Sequence, residues 1–273
     1  MANWKLPRGV TRGTWDYIRS DRIAREYDEY FSTSALMKLD LEVVCRYLPQ
    51  LHTGEQLHTG ETIAGYAPLV ADLGCGTGRV ARALLPMGYR MLNIDLSEAM
   101  LQETRANVPA QFQDCNQVVQ ANLVELDQVP ELQGVDLALC LFSSIGMIRG
   151  KENRQRFLVA VQRSLNPGGK FFVHVHNRYR SLLDPGGVRW LLGTAIAGMR
   201  DKNWELGDRV YAYRGLPQMF LHIYSRRELC NALRAAGFRR VKILPINARG
   251  DALMGPRQWL TGLRAGGFFA IAS

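Results

Sequence analysis

The chain is poor in cysteine, and it lacks long apolar runs and closely spaced metal ligands. Its 5 cysteines stand at 45, 75, 115, 140 and 230, never in C-x-x-C spacing. An odd, scattered set argues against a disulfide framework or a zinc ribbon. It fits a reducing cytoplasm, with each thiol a small buried hydrophobe. No apolar run reaches the ~20 residues that cross a bilayer. The basic residues of Met1–Thr14 have no apolar stretch behind them. The expectation is a soluble, cytoplasmic chain with no signal peptide and no membrane partner. His174 and His176 lie one residue apart, but no third ligand with a recognisable spacing joins them, so no metal is expected.

What is present is an ordinary globular composition with uneven charge. Of 273 residues, 47% are hydrophobic, enough for one large domain or one domain with an insertion. The formal net charge is +9. From Arg178 to the C-terminus there are 16 Lys+Arg against 6 Asp+Glu, whereas the part before it is nearly balanced. A basic last third suits either a solvated arginine-rich surface or a face that recruits nucleic acid or another polyanion. It holds no run of five basic residues.

The most informative stretch is Val70-Ala-Asp-Leu-Gly-Cys-Gly-Thr-Gly78. A short apolar strand runs into a turn with glycine at 74, 76 and 78. A helix follows, with Val80, Ala81, Leu84 and Leu85 on its buried face. A bare turn at a helix N-terminus lets backbone approach a nucleotide closely. A G-x-G-x-x-G dinucleotide turn would need glycine at 79, which is Arg79. Asp95 ends the next strand, 23 positions after Asp72. A carboxylate there either accepts both ribose hydroxyls or caps the helix that begins near Ser97.

Strands and helices alternate from Pro68 onward. Strands are expected at 69–73, 90–95, 117–120, 135–142, 170–175, 219–224, 240–245 and 267–272. Helices are expected at 97–108, 151–164 and 226–236, the last capped by Gly237. Before them, aromatic and aliphatic residues three to four apart mark helical segments over 14–48, with a helix at 34–47 stopped by Pro49. Residues 50–66 read as a polar linker in which Leu-His-Thr-Gly-Glu occurs twice. Residues 177–218 lose the alternation and read as an insertion over the site.

The pattern G-x-G-x-G, with Ile94-Asp-Leu-Ser-Glu-Ala-Met-Leu101, Val135–Phe142 followed by Ser-Ser-Ile-Gly, and Asn166-Pro-Gly-Gly169, resembles the ordered motifs of class I S-adenosylmethionine-dependent methyltransferases. The resemblance is good over 68–176 and looser over 219–272. It implies an α/β, Rossmann-like doubly wound sheet of seven mostly parallel strands with a reversed last strand. Residues 1–66 would form an N-terminal helical lid and linker, and 67–273 the methyltransferase domain with its insertion at 177–218. It implies S-adenosylmethionine as cofactor and S-adenosylhomocysteine as product. The turn Gly74, Gly76 and Gly78 would take the cofactor with Asp72. Asp95 would take the ribose, and Leu96 and Met100 the adenine face. Asn122 and Leu123 would hold the adenine edge, Asn122 replacing the family's usual Asp. Leu141 and Phe142 would face the methionine part. Tyr27 is either a lid residue over the cofactor or aromatic core.

Several family signatures are missing. No Asn/Asp-Pro-Pro-Tyr/Phe follows strand four, no proline precedes Cys140, and no Lys-Asp-Lys-Glu set is present. The favoured expectation is therefore methyl transfer to an O or N atom of a small-molecule metabolite by a monomer or homodimer. The alternatives are a methyltransferase acting on RNA or another polyanion, and a cofactor-binding scaffold without turnover. His176, near the end of strand five, is the first candidate to touch substrate, beside Asn177. His222 and Tyr224 are weaker ones. Each histidine is otherwise a satisfied buried residue.

Overall fold

A computed structural model describes residues 6–48, 67–255 and 259–273. The expected linker at 50–66, with its duplicated pentapeptide, lies outside them. Seven strands form one sheet: β1 (Leu69–Leu73), β2 (Arg90–Asp95), β3 (Asn116–Gln120), β4 (Val135–Cys140), β5 (Leu165–His176), β8 (Val241–Ile246) and β9 (Gly267–Ala272). Their order is β3-β2-β1-β4-β5-β9-β8. All neighbours from β3 to β5 pair in parallel, whereas β9 runs antiparallel to both β5 and β8. The expected seven-stranded sheet with a reversed final strand is the one observed.

Central strands covered on both faces read as continuous apolar runs, and here they are nearly solvent-free. One core holds Ala71, Leu73, Ala138, Phe171 and Val173 against Phe157, Leu158 and Leu229. The opposite core holds Val70, Leu137, Leu139, Phe172 and Phe269 against Val43, Val44, Val80 and Leu84. Residues one apart on each strand thus serve opposite layers.

The N-terminal region is divided more finely than its periodicity suggests. Short helices α1 (Arg12–Ile18), α2 (Asp21–Arg25) and α3 (Tyr27–Phe31) precede α4 (Ala35–Tyr47). Thr11, Ser20 and Ser34 each accept a backbone N–H at a helix start. These caps explain why one apolar periodicity breaks into separate pieces. Helix α4 lies in the second core, while α1 packs on the ribbon described next.

The sequence expectation departs most from the structure after β5. Residues 178–183 form a short turn of helix, Gly187–Arg200 forms α8 of this chain, and β6 (Asp208–Tyr213) pairs antiparallel with β7 (Leu216–His222). The strand expected at 219–224 is therefore the second half of a separate ribbon that starts inside the expected insertion. The turn at 166–169 also lies within β5. Val135 faces Leu165 and Leu137 faces Lys170, so those four residues bulge out of the ladder.

Candidate active site

The C-terminal ends of β1, β2, β4 and β5 open onto a cavity of about 330 Å³. Its floor begins at the glycine turn. Gly74, Gly76 and Gly78 all have positive φ, at +85°, +57° and +78°, so each needs the freedom that a side chain would remove. The Gly74 and Cys75 amides donate to the Ile94 carbonyl at 2.7 and 3.2 Å. A Cβ on Gly78 would stand 2.8 Å from Thr104 Cγ2, so this glycine serves packing. A Cβ on Gly76 would meet only Tyr27, at 3.8 Å, on the cavity side.

Asp95 stands beside this turn. Its Oδ2 accepts the Gly76 amide at 3.0 Å and its Oδ1 the Ser97 amide at 2.9 Å. Both expected roles are thus compatible: the carboxylate ties the turn to the next helix and retains acceptor capacity toward the cavity. Burial pushes its pKa up, opposed by those amide bonds. Leu96, Met100, Asn122, Leu123 and Phe142 join Gly74, Gly76, Asp95 and Tyr27 on the cavity wall. Asn122 is already engaged: its Oδ1 accepts from Val124 N–H at 3.1 Å and its Nδ2 donates to the Arg8 carbonyl at 3.0 Å. Of the expected cofactor residues, Asp72, Gly78 and Leu141 do not line the cavity. Asp72 is buried, and burial raises its pKa to about 7 against the pull of Arg79.

The upper wall comes from segments remote in sequence. Gly9, Val10, Thr14 and Tyr17 enter from the N-terminus, and Tyr211, Tyr213, Met219 and Leu221 from the β6–β7 ribbon. Aromatic rings run across it: Tyr27 lies 4.9 Å from Phe31, Phe31 lies 5.0 Å from Phe142, and Tyr17 lies 6.1 Å from Tyr213. Charged side chains hold this cover. Asp28 accepts from Thr77 Oγ1 at 2.5 Å and pairs with Arg82 at 2.7 Å. Arg214 pairs with Glu26 at 2.6 Å, tying ribbon to helix.

His176 reaches the cavity. Burial lowers its pKa to about 4, helped by His174 and opposed by Asp40. Behind it lies a buried polar group that sequence reasoning missed. His174 and Asp40 are both solvent-free, with His174 Nδ1 3.7 Å from Asp40 Oδ2. Asp40 Oδ1 and both His174 nitrogens have no partner. Burial pushes Asp40 up to about 7 and His174 down to about 3. Asp40 also accepts the Phe142 amide at 3.2 Å. Phe142 and Ser143 hold φ of +50° and +64°, a left-handed pair that non-glycine residues adopt at a cost. The signal was there: Asp40 falls on the apolar face of α4, between Met37 and Val43.

His222 is placed elsewhere. It is fully buried, with Nδ1 2.7 Å from Asp208 Oδ1 and Nε2 2.7 Å from Glu228 Oε1. Burial lowers its pKa while the Asp208 bond raises it. It does not line the cavity, so the expectation that it touches substrate is corrected to a position in a buried ionic network. Glu205, His222 and Glu228 place possible ligand atoms within 4.8 Å of one another. Arg154 pairs with Glu205 at 2.8 Å and Arg178 pairs with Glu228. Guanidinium groups therefore supply the positive charge that a metal ion would bring. Asn177 is also turned inward, donating to the carbonyls of Gly262 and Ala265 at 2.9 and 2.8 Å. Tyr224 is buried outside the cavity wall, with the Arg154 guanidinium 5.7 Å from its ring centroid.

Comparison with known proteins gives this geometry a context. A family described as a methyltransferase domain matches residues 70–169. A putative methyltransferase of Geobacillus sp. (strain WCH70) is 30% identical over 115 residues, which span 42% of this chain and 44% of that protein. Among solved structures, an S-adenosylmethionine-dependent methyltransferase from Clostridium acetobutylicum superposes with a TM-score of 0.58 at 14% identity, covering 93% of this chain and 98% of the other. A possible histamine N-methyltransferase from Thermotoga maritima gives 0.52 at 17% identity, covering 93% and 96%.

Proposed function

We propose that the chain, whose residues 70–169 match a methyltransferase-domain family and whose fold resembles that of S-adenosylmethionine-dependent methyltransferases, is an enzyme that methylates an O or N atom of a small, largely apolar acceptor. The observation that carries this is the cavity wall. It joins a nucleotide-type floor (Gly74, Gly76, Asp95) to an aromatic and aliphatic upper part, and among the described residues no lysine or arginine lines it. A phosphate-rich acceptor such as RNA would meet no cation there. The last third contributes uncharged residues of the β6–β7 ribbon to that wall, and its described basic side chains lie elsewhere, which disfavours the polyanion alternative.

The residues fit S-adenosylmethionine. Gly76 leaves room beside Tyr27, and Asp95 offers carboxylate oxygens at the end of β2. Leu96 and Met100 offer apolar surface for a base. When bound, the cofactor supplies the methyl carbon and the sulfonium leaving group. The chain orients the acceptor, excludes water and receives a proton. Tyr27, Phe31 and Phe142 offer aromatic surface on the wall that would suit a sulfonium. His176 is neutral at physiological pH, since its pKa is held near 4. It would accept the proton that the acceptor atom loses as the new bond forms, and the charge of Asp40 opposes the burial that lowers its pKa. Helices α1–α3 and the β6–β7 ribbon act as the lid.

The test is calorimetric titration with S-adenosylmethionine and S-adenosylhomocysteine, followed by labelled methyl uptake from fractionated metabolite and RNA pools. Micromolar binding with uptake into a small apolar compound is expected. Uptake into RNA, with affinity falling steeply with salt, would reverse the acceptor assignment. His176→Ala is expected to retain cofactor binding and lose turnover by about 10²-fold or more; equal turnover would make it structural.

A further inference from the structure

Helix α8 (Gly187–Arg200) is apolar on both sides. Its inner face, Gly187, Leu191 and Thr194, is buried against the protein. On the other side Val188, Leu192, Ile196 and Met199 recur at helical spacing and are 51%, 60%, 43% and 79% exposed. A helix that is hydrophobic all round expects cover on both faces. Isolated exposed apolar side chains are ordinary, but a full stripe is not. Just before the helix, Leu182 and Leu183 are also exposed, and the 178–183 turn that carries them packs on both α8 and α10 (Thr261–Arg264).

The charges around this stripe discriminate between occupants. Arg189 and Arg200 on α8 and Lys202 just after it are exposed. The nearest exposed carboxylates are already used: Asp184 pairs with Arg180 at 3.0 Å, and Asp201 accepts from Asn203 at 2.9 and 2.8 Å. A second copy of this chain, docked stripe to stripe, would bring these cations toward their own symmetry mates. A surface of anionic headgroups over an apolar layer complements both features.

We propose that α8 and the 178–183 turn form an interfacial docking face for an anionic phospholipid membrane. Val188, Leu192, Ile196 and Met199 enter the headgroup–acyl boundary, and Arg189, Arg200 and Lys202 engage the lipid charge. The contact is peripheral, because no described helix is long and apolar enough to cross a membrane. It departs from the sequence expectation of no membrane partner, which rested on the lack of a spanning segment. It does not depend on the methyl-transfer reading.

The experiment is flotation of the full chain with vesicles of phosphatidylcholine alone and of phosphatidylcholine with phosphatidylglycerol, at low and high salt. Binding to the anionic vesicles alone is expected, weakened by salt. The Arg189→Glu, Arg200→Glu double variant should lower the partition coefficient by more than tenfold, since each basic residue near such a surface contributes about fivefold. Leu192→Glu with Met199→Glu should abolish binding. These positions are exposed, so an unchanged urea midpoint serves as the fold control. No binding to anionic vesicles at low salt would overturn the proposal, as would binding that survives Leu192→Glu with Met199→Glu. A dimer that the same pair dissociates, without vesicle binding, would assign the face to a second copy instead.

Discussion

Replacing Asp40 by asparagine turns the buried polar group behind His176 into a measurable pH effect. Asp40 has no solvent exposure, one oxygen without a partner, and a pKa raised by burial from 3.8 to about 7. Between those two values the folded state binds more protons at this site than the unfolded chain. The site's contribution is thus fully present below about pH 4 and is lost as pH rises to about 7, after which it is flat. About three units at about 1.4 kcal/mol each give a loss on the order of 4 kcal/mol. Asparagine cannot ionise, keeps an oxygen for the Phe142 amide, and offers an NH₂ toward His174 Nδ1. Burial depresses both His174 and His176; their contributions instead rise with pH toward about 6.5 in either protein and largely cancel in the difference. The stability of Asp40→Asn relative to the parent should therefore climb by about 4 kcal/mol between about pH 4 and pH 8. Urea unfolding at constant ionic strength, with m-values compared, measures it. A difference that stays constant over that range would refute the reasoning.

Asp95→Ala should weaken S-adenosylhomocysteine binding by tenfold or more, since a charged acceptor is lost and the Gly76 amide is left without its partner; calorimetry showing unchanged affinity removes Asp95 from the ribose role. Gly13→Ala would put a Cβ 1.7 Å from the Gln218 carbonyl oxygen, forcing α1 off β7 at a cost of about 1–3 kcal/mol; an unshifted urea midpoint would contradict that contact. His222→Ala should cost about 3–5 kcal/mol by leaving Asp208 and Glu228 without their shared partner, while cofactor affinity holds at a temperature where the variant remains folded. Lost turnover at full stability would return His222 to the catalytic list.

The parts of the fold that sequence made legible are those where one local rule acts alone. Strands β1, β2 and β9 are short, mainly apolar runs, the 151–164 helix carries Phe157, Leu158 and Val161 on its buried side, and their expected limits match the observed ones. The ribbon was misplaced because its cross-strand pairs alternate weakly: residues 209–212 of β6 are largely exposed, and only half of β7 is buried. The glycine turn, Asp95 and His176, which the structure brings to one cavity, could be singled out because each lies at a strand end. Asp208, Glu228 and Arg178 were missed as partners of His222 because their proximity is set by the ribbon meeting the 226–235 helix, contacts that no short spacing encodes. The segment around Gly9 on the cavity wall was missed for the same reason. Its amide and carbonyl bonds are long-range, such as the Arg149 amide donating to the Gly9 carbonyl at 2.8 Å.

The cover over the cavity has two sources, one near the start of the chain and one more than 200 positions later. Helix α1 is packed on β7 so tightly that Gly13 has no room for a methyl group, and Arg214 clasps Glu26. Neither piece can swing away while the other stays. Under the proposed function, release of the product nucleoside would require both pieces to undock together, and its rate would depend steeply on temperature.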